Sequence, residues 1–334
     1  MSHTEAFTAL DAIARTRLVH EPTPLVSAPR LAQALDRADV MLLVKMDGET
    51  GFALGGNKVR KLEYELSPSR LGGVTSVITV GGVNSNHARV TAAAAARLGL
   101  RCILVLNGEL PTEPTGNTIL HLMFGAELRM VPNRESRDPV ALAAAAQIEA
   151  DGGKALFVPL GASTPVGTLG YVRAARELAE QLDEMDGSGV PERTWVFVSA
   201  SSCGTIAGLA LGFTLLGRKD IRLVGISPDV SEAEVLHLTE RLSADAGELL
   251  GWQGDLTAGL MSASDAYVGE GYALPSQGSL EATEQFARRE GIVLDPVYTA
   301  KVAHGMTEWF RDRRIPNEDR VVFWHTGGYP TVFG

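Results

Sequence analysis

The sequence predicts an α/β fold of two domains, built from open, twisted, mostly parallel sheets with helices on both faces. Short β-branched runs alternate with helical patterns along the chain, which is typical of parallel α/β layers. The 334 residues are 45% hydrophobic and 21% charged, enough to bury a large core and to exceed the usual size of one domain. No internal repeat or low-complexity segment interrupts this alternation.

Short runs rich in β-branched and aromatic residues are the predicted strands. They cover residues 40–46, 76–80, 102–106, 127–131, 155–159, 195–200, 221–226 and 321–325. Helical patterns lie between them at residues 86–98, 118–124, 139–150, 166–182, 205–216 and 279–289. Gly99 and Gly152 end two alanine-rich helices, because glycine adopts the left-handed conformation that follows a helix. Residues 184–193 form the clearest loop signal after the middle of the chain.

The composition indicates a globular protein that binds a small molecule. A formal net charge of −10 and a pI of about 5.3 argue against a nucleic acid or an anionic membrane as the main partner. No apolar run is long enough to span a membrane. Cys102 and Cys203 lack zinc-site spacing, so no metal is expected. The N-terminus has no basic region followed by an apolar core, which predicts a cytoplasmic protein without structural disulfides.

The stretch GGNKVRKLEYEL, residues 55–66, places three cations at the start of a predicted helix. Lys58, Arg60 and Lys61 follow a glycine pair, although a helix N-terminus favours negative charge. Either they are ordinary surface charges or at least one of them meets an anion. The stretch alone leaves both interpretations open.

Glycine-rich junctions follow three predicted strands, where open α/β sheets bind their ligands. In ITVGGVNSNHARV, Ser85, Asn86 and His87 lie where a helix begins, and free N–H groups with hydroxyl and amide side chains there suit a carboxylate. The alternative is that Ser85 or Asn86 is only a helix N-cap.

The second and third junctions are VFVSASSCGTIAGLALGF and VVFWHTGGYP. In the second, successive N–H groups and hydroxyls at a helix start form an anion nest of the kind that binds a phosphate. Its residues are Ser201, Ser202, Cys203, Gly204 and Thr205. It matches neither a Walker loop nor G-x-G-x-x-G. The third junction ends a strand on Thr326, Gly327 and Gly328.

A lysine after a glycine turn, a phosphate nest and a carboxylate nest are together the parts that hold pyridoxal phosphate. The chain resembles the pyridoxal-phosphate enzymes of fold type II, specifically the 1-aminocyclopropane-1-carboxylate deaminase and D-cysteine desulfhydrase family. The resemblance runs from about Pro24 to the C-terminus. It is carried, in order, by PTPL, GGNKVRKLE, GGVNSNHAR, TGNTILHLMFGAELR, SSCGTIAGL, GYALPSQGSLEA, LDPVYTAK and HTGGYP.

The resemblance implies a role for each matching position. Lys58 is implied as the Schiff-base lysine and, once freed by the substrate amine, as the base. The implied catalytic residues are Lys58, Ser85, Tyr272 and Tyr298. The implied cofactor-binding residues are Lys58, Lys61, Asn86, Ser201, Ser202, Cys203, Gly204, Thr205, Thr299 and Thr326. The implied substrate-binding residues are Asn84, Ser85, Asn86, His87, Tyr272 and Tyr298.

Two positions favour the desulfhydrase branch. Thr299 and Thr326 stand where the cyclopropane deaminases have glutamate and leucine, and a neutral hydroxyl beside the ring nitrogen suits direct β-elimination. We therefore expect a lyase in amino acid metabolism that converts D-cysteine to pyruvate, sulfide and ammonia. The alternatives are a cyclopropane deaminase, an activity like that of an L-cysteate sulfo-lyase, or a non-catalytic pyridoxal-phosphate module.

Departures from the family pattern concern the substrate more than the cofactor. Asn84 replaces the usual glutamine, and the 201–203 loop has less glycine than in many desulfhydrases. Cys203 is either a passive small residue or a reactive thiol. The resemblance also implies a homodimer whose small domain, residues 47–159, is inserted into a large domain made of residues 1–46 and 160–334, with the cofactor between them.

Overall fold

The computed structural model of the protein describes residues 3–186 and 191–333. Its helices are α1 (His3–Ala12), α2 (Pro29–Ala34), α3 (Lys58–Glu65), α4 (Pro68–Leu71), α5 (Asn86–Arg97), α6 (Gly116–Met123), α7 (Arg137–Ala150), α8 (Pro165–Met185), α9 (Gly204–Leu215), α10 (Glu232–Leu249), α11 (Gln277–Glu290) and α12 (Thr299–Arg311). Its strands are β1 (Leu25–Ser27), β2 (Met41–Met46), β3 (Ser76–Gly82), β4 (Arg101–Asn107), β5 (Glu127–Val131), β6 (Ala155–Val158), β7 (Thr194–Ser199), β8 (Ile221–Ile226), β9 (Met261–Ser264) and β10 (Arg320–His325).

The strands form two sheets. The larger has the order β1-β2-β10-β7-β8-β9, and all its neighbouring strands are parallel except β1 and β2. The smaller has four parallel strands in the order β5-β4-β3-β6, drawn from residues 76–158. The predicted α/β class with mostly parallel sheets is confirmed, whereas the limits of the two domains stay a prediction.

Helices cover both faces of each sheet, because successive strand residues point to opposite sides. In β10, Val321 and Phe323 pack with α2, α11 and α12, while Val322 and Trp324 pack with α8, α9 and α10. In the smaller sheet, Ile78 of β3 packs against α7, whereas Val77 of β3 packs against α3 and α5. None of the helices in the described part of the chain is both long and apolar enough to cross a membrane.

All the predicted strands and helices are present, with ends that shift by three residues or fewer. The sequence analysis missed β1 and β9, which are short, and the helices α1, α2, α4, α10 and α12. The start of helix α10 has a sequence signal, because Ser231 is an N-cap residue whose side chain accepts a hydrogen bond from the Glu234 N–H. Of the predicted loop at 184–193, residues 187–190 lie outside the described residues.

The loop before α3 packs on the ends of β2 and β10. The Gly56 N–H donates to the Asp47 carbonyl at 2.9 Å, and the Asn57 N–H donates to the Thr326 carbonyl at 3.0 Å. Gly327 has a φ of +90°, and a Cβ there would lie only 2.6 Å from the Gly56 Cα. The close contact of the two glycine-rich motifs therefore requires glycine at position 327. This contact places Lys58 at the carboxyl end of the larger sheet.

Candidate active site

A cavity of about 430 Å³ opens where strands of both sheets end. Its walls include Gly82 and Asn107 from the smaller sheet, Ser199 from the larger sheet, and Thr326, the residue after β10. The predicted site residues that line it are Lys58, Asn84, Ser85, Asn86, His87, Ser201, Ser202, Cys203, Thr205, Tyr272, Tyr298 and Thr326. Lys61, Gly204 and Thr299 are outside this lining and lie in the packing around it.

The Lys58 amine lies in the wall of this cavity. It has no hydrogen-bond or ion-pair partner among residues 3–186 and 191–333. Burial lowers its pKa from 10.5 to about 8, an effect that the negative charge of Asp295 opposes only in part. At pH 7.4, roughly one fifth of this amine is consequently neutral and nucleophilic, far more than for an exposed lysine.

Lys61 lies one helical turn from Lys58 and is fully buried. Its Nζ donates to the Ser163 hydroxyl at 2.9 Å and to the Gly161 carbonyl at 3.3 Å. Burial and then the charge of Lys58 lower its pKa well below the ordinary value. Neither amine has a carboxylate within 4.0 Å among the described residues, so an anion bound beside them would favour their charged forms.

The predicted anion nest lies at the start of α9. Cys203 has a φ of +57°, which turns the chain into the helix, and the Asn57 side-chain amide donates to the Thr205 hydroxyl at 3.0 Å. The Ser163 hydroxyl donates to the Ser202 hydroxyl at 2.7 Å. Burial raises the pKa of the Cys203 thiol to about 11, which keeps this thiol protonated.

The junction between β3 and α5 is held by local hydrogen bonds. The Ser85 Oγ accepts from the Ala88 N–H at 3.2 Å, so this hydroxyl caps α5 while it also lines the cavity. Asn117 of α6 donates from its backbone to the Asn84 Oδ1 at 3.0 Å and from its side chain to the Asn86 Oδ1 at 2.9 Å. These bonds orient both asparagines toward α6.

His87 is a neutral residue in the same wall. Its Nε2 lies 2.7 Å from the Thr79 hydroxyl, which itself donates to the Val158 carbonyl. Burial, followed by the charges of Lys58 and Lys61, lowers the His87 pKa well below its ordinary value. The imidazole therefore stabilises this wall without contributing a charge.

Tyr272 and Tyr298 also line the cavity, and their hydroxyl oxygens are 2.6 Å apart. Burial raises both pKa values, so both groups remain protonated and able to donate. The buried Asp295 carboxylate orients Tyr298, because it accepts from the backbone N–H of Tyr298 at 2.9 Å and from that of Thr299 at 2.7 Å. The Thr299 hydroxyl donates to the same carboxylate at 2.6 Å, and its predicted role toward a cofactor ring stays a prediction.

Several residues of the site were not identified from the sequence. These are Asn57, Arg134, Arg137, Ser163, Asp229 and Asp295. Asp295 belongs to the LDPVY motif, so a closer reading of that motif could have found it. The arginines follow β5 without any recognisable pattern, and only the folded chain brings them to the cavity.

Comparisons with known proteins agree with this geometry. Residues 16–327 match the family described as pyridoxal-phosphate dependent enzyme. The chain is 36% identical over 329 residues to a D-cysteine desulfhydrase of Salmonella newport (strain SL254), covering 96% of this chain and 95% of that protein. The D-cysteine desulfhydrase of Salmonella choleraesuis (strain SC-B67) is also 36% identical, with the same coverage.

Two solved structures show the same architecture. An ACC deaminase homologue superposes with a TM-score of 0.87 at 34% identity, covering 98% of this chain and 96% of its own. A threonine deaminase from T.th. has a TM-score of 0.65 at 20% identity and 98% coverage of both chains, which shows a common fold.

Proposed function

Because the chain belongs to the family of pyridoxal-phosphate dependent enzymes, we propose that it is a carbon–sulfur lyase that removes the β-substituent of a small amino acid. The proposed substrate is D-cysteine, and the products are pyruvate, sulfide and ammonia. The observation that carries the proposal is the unpartnered Lys58 amine, with a pKa of about 8, in one cavity with the tyrosine pair.

The residues around the 201–205 loop fit the phosphate of the cofactor. Neither Lys58 nor Lys61 has a carboxylate within 4.0 Å in the described parts of the chain, so an anion there would offset the cost of burying two cations. A Cβ at Gly204 would lie 2.9 Å from the Lys61 Nζ, and a Cβ at Gly161 would lie 2.6 Å from the Ser202 Oγ. Gly161 also has a φ of +69°, so the shape of this wall favours glycine at both positions.

In the proposal, Lys58 binds the cofactor covalently, and the 201–205 loop holds its phosphate with Lys61 behind it. The bound cofactor supplies an electron sink for the charge left when the substrate loses its α-hydrogen. The Lys58 amine accepts that proton, for which a pKa of about 8 is well suited. The backbone around Ser85 binds the substrate carboxylate.

The tyrosine pair completes the proposed arrangement. Tyr298 is oriented by Asp295, and its hydroxyl is bonded to that of Tyr272, so one of the two groups has a proton free to donate toward the substrate. A group placed in this way stabilises the departing β-substituent as negative charge develops on it.

D-cysteine is favoured over the cyclopropane substrate by the relatives named D-cysteine desulfhydrase and by the neutral Thr299 and Thr326. A similar structure is, however, that of an ACC deaminase homologue, so the two substrates must be compared directly. We further propose a cytoplasmic homodimer, with the domain limits given above. The unpaired, buried Cys102 and Cys203 support a reducing compartment.

The deciding experiment measures sulfide, ammonia and pyruvate release from D-cysteine, L-cysteine and 1-aminocyclopropane-1-carboxylate. We expect sulfide and pyruvate from D-cysteine, and borohydride reduction of the loaded protein followed by mass spectrometry should place the cofactor on Lys58. Release from the cyclopropane alone would contradict the lyase assignment. A loaded protein without turnover of any β-substituted amino acid would favour the non-catalytic module.

A further inference from the structure

Lys301, the third residue of α12, is a buried cation that the proposed reaction does not use. No carboxylate of residues 3–186 or 191–333 lies within 4.0 Å of its ammonium group. Burial lowers its pKa from 10.5, and the charge of Asp229 opposes this effect only in part. A buried cation without a carboxylate partner needs other acceptors, so the contacts of Lys301 indicate what it does.

The Lys301 ammonium donates to three backbone carbonyls. The acceptors are Val268 and Gly271, both at 2.7 Å, and Pro228 at 3.3 Å. An ammonium group has three donors, so these carbonyls satisfy all of them. The acceptors belong to two loops, one between β8 and α10 and the other between β9 and α11. One side chain of α12 thus connects both loops to its own helix.

Each of the three connected segments carries a side chain of the cavity lining. Asp229 and Tyr272 directly follow two of the carbonyls that Lys301 binds, and Tyr298 is the N-cap residue of α12. The hydrogen bond between the Tyr272 and Tyr298 hydroxyls therefore joins two segments that Lys301 also joins through a backbone carbonyl.

The loop that carries Tyr272 has few other backbone contacts. Its two backbone–backbone hydrogen bonds are internal and 3.3 Å long, and Tyr267 packs in the core at its start. Among the described residues, the bonds to Lys301 are the only backbone hydrogen bonds of residues 267–275 that leave the connection between β9 and α11. Ala273 has a φ of +63°, which is uncommon for a residue with a side chain. The shape of this loop therefore depends on Lys301.

We infer that Lys301 is a positioning residue, whose ammonium group fixes the Tyr272 loop on α12 and so holds the Tyr272 and Tyr298 hydroxyls together beside the departing β-substituent. This inference rests on the proposed β-elimination. Hydrogen bonds from a charged donor are stronger than those from a neutral one, which suits a contact that holds a loop. A neutral, apolar side chain in this place would leave the carbonyls without their donor.

The identity of the departing group makes this role measurable. In the proposed reaction the Cβ–S bond of D-cysteine breaks with its electron pair going to sulfur, and a tyrosine hydroxyl stabilises the charge that develops there. Chloride is a much weaker base than hydrosulfide, so its departure depends less on a hydrogen-bond donor. Displacement of the tyrosine pair should therefore slow elimination from D-cysteine more than elimination from β-chloro-D-alanine.

The first test measures pyruvate release by the Lys301→Met holoenzyme from both substrates. The value of kcat on D-cysteine should fall about 10- to 100-fold, as for a misplaced catalytic group, with KM within about 3-fold. On β-chloro-D-alanine, kcat should stay within about 3-fold. Lys301→Gln retains two N–H donors and should lose less on D-cysteine. It also carries the test if Lys301→Met does not fold.

A double-mutant cycle separates positioning from general damage to the fold. If Lys301 acts through the tyrosine pair, Lys301→Met should cost less than about 3-fold on D-cysteine when Tyr272→Phe is already present. Lys154→Met is the matched control, because the Lys154 Nζ also donates to a backbone carbonyl, that of Gly72 at 2.8 Å, but at an exposed site outside the cavity lining. It should change neither substrate's kcat.

A second measurement does not require turnover. Cleavage by chymotrypsin after Tyr272, mapped by mass spectrometry, should be about 10-fold or more faster in the Lys301→Met holoenzyme than in the original protein, and unchanged in Lys154→Met. Faster cleavage in a protein that eliminates from neither substrate would retain the loop contact and reject the lyase. Equal losses on both substrates, or the same loss with and without the Tyr272 hydroxyl, would overturn the positioning role even if D-cysteine is cleaved.

Discussion

Arg60 and Lys61 are neighbours in α3, both are fully buried, and yet their surroundings are opposite in charge. The Arg60 guanidinium lies 2.9 Å from the Asp47 carboxylate and 2.8 Å from that of Glu177. Among the described residues, Lys61 donates only to neutral oxygens, and Lys58, one turn earlier, lines the cavity. Arg60 on one side of this helix is paired with carboxylates, whereas Lys58 and Lys61 on the other side have none within 4.0 Å among the described residues.

The neutralised side joins distant parts of the chain. Asp47 also accepts hydrogen bonds from the Trp324 indole at 2.9 Å and the Thr23 hydroxyl at 2.9 Å, and Glu177 accepts one from Lys45 at 2.5 Å. The cations Lys45 and Arg60 therefore face the carboxylates of Asp47 and Glu177 in one network that connects β2, α3 and α8. This comparison teaches that burial of a cation does not by itself indicate function, whereas a buried cation without a carboxylate partner is a functional candidate when it also lies beside a ligand cavity.

The strongest test of the functional side is Lys58→Ala. It removes the proposed covalent attachment point and base, so lyase activity should fall by about 10³-fold or more. The free energy of unfolding should change by less than about 1 kcal/mol, since Lys58 has no hydrogen-bond or ion-pair partner to lose within residues 3–186 and 191–333. Activity assays and urea unfolding measure the two effects. Lys219→Ala, an exposed site, is the matched control, and a retained borohydride adduct in Lys58→Ala would contradict the assignment.

A second substitution tests the structural side. Arg60→Met leaves Asp47 and Glu177 buried with too little positive charge, which should cost about 3–5 kcal/mol in the free energy of unfolding. Lys61→Met should cost less than about 1 kcal/mol, because it removes an uncompensated buried cation. Both are measured by denaturant unfolding with saturating cofactor, where Lys61→Met should need more cofactor to saturate. Equal losses of stability in Arg60→Met and Lys61→Met would contradict the distinction between a paired and an unpaired buried cation.

The pH dependence of cofactor attachment sharpens the comparison further. Burial shifts the Lys58 pKa downward from 10.5 to about 8, so the neutral, nucleophilic amine predominates above about pH 8. In cofactor-free protein, the rate of reaction with pyridoxal phosphate should rise about tenfold per pH unit below this midpoint and level off above it. Absorbance followed after rapid mixing measures this rate. A midpoint near 10.5, as for an exposed lysine, would show that Lys58 is not desolvated.

Most strands of both sheets and twelve residues of the cavity lining could be predicted from the sequence because those signals are local. A run such as VVFWH predicts its strand from β-branched and aromatic residues, and the GGNK stretch identifies Lys58 through its glycine turn. The buried carboxylate partners of Arg60 could not be predicted, since Glu177 lies more than a hundred residues away in the chain. Arg137 was not identified from the sequence, because only the folded chain brings it to the cavity. A charge shows its function only when its counter-ions, or their absence, are known in three dimensions.

The smallest effect is expected at Cys203, the cavity residue whose position most suggests a reactive thiol. It is the N-cap residue of α9, close enough to Lys61 to be affected by its charge, and both a helix N-terminus and a cation favour a thiolate. Burial outweighs these effects and raises its pKa to about 11, so alkylation by iodoacetamide at pH 7.5 should be at least about 100-fold slower than that of an ordinary thiol. Cys203→Ala should change kcat/KM by less than about 3-fold. Rapid labelling that abolishes activity in the native protein, and that Cys203→Ala prevents, would instead give this thiol a functional role. The buried Cys102, with a pKa of about 12, is the internal reference for the labelling rate.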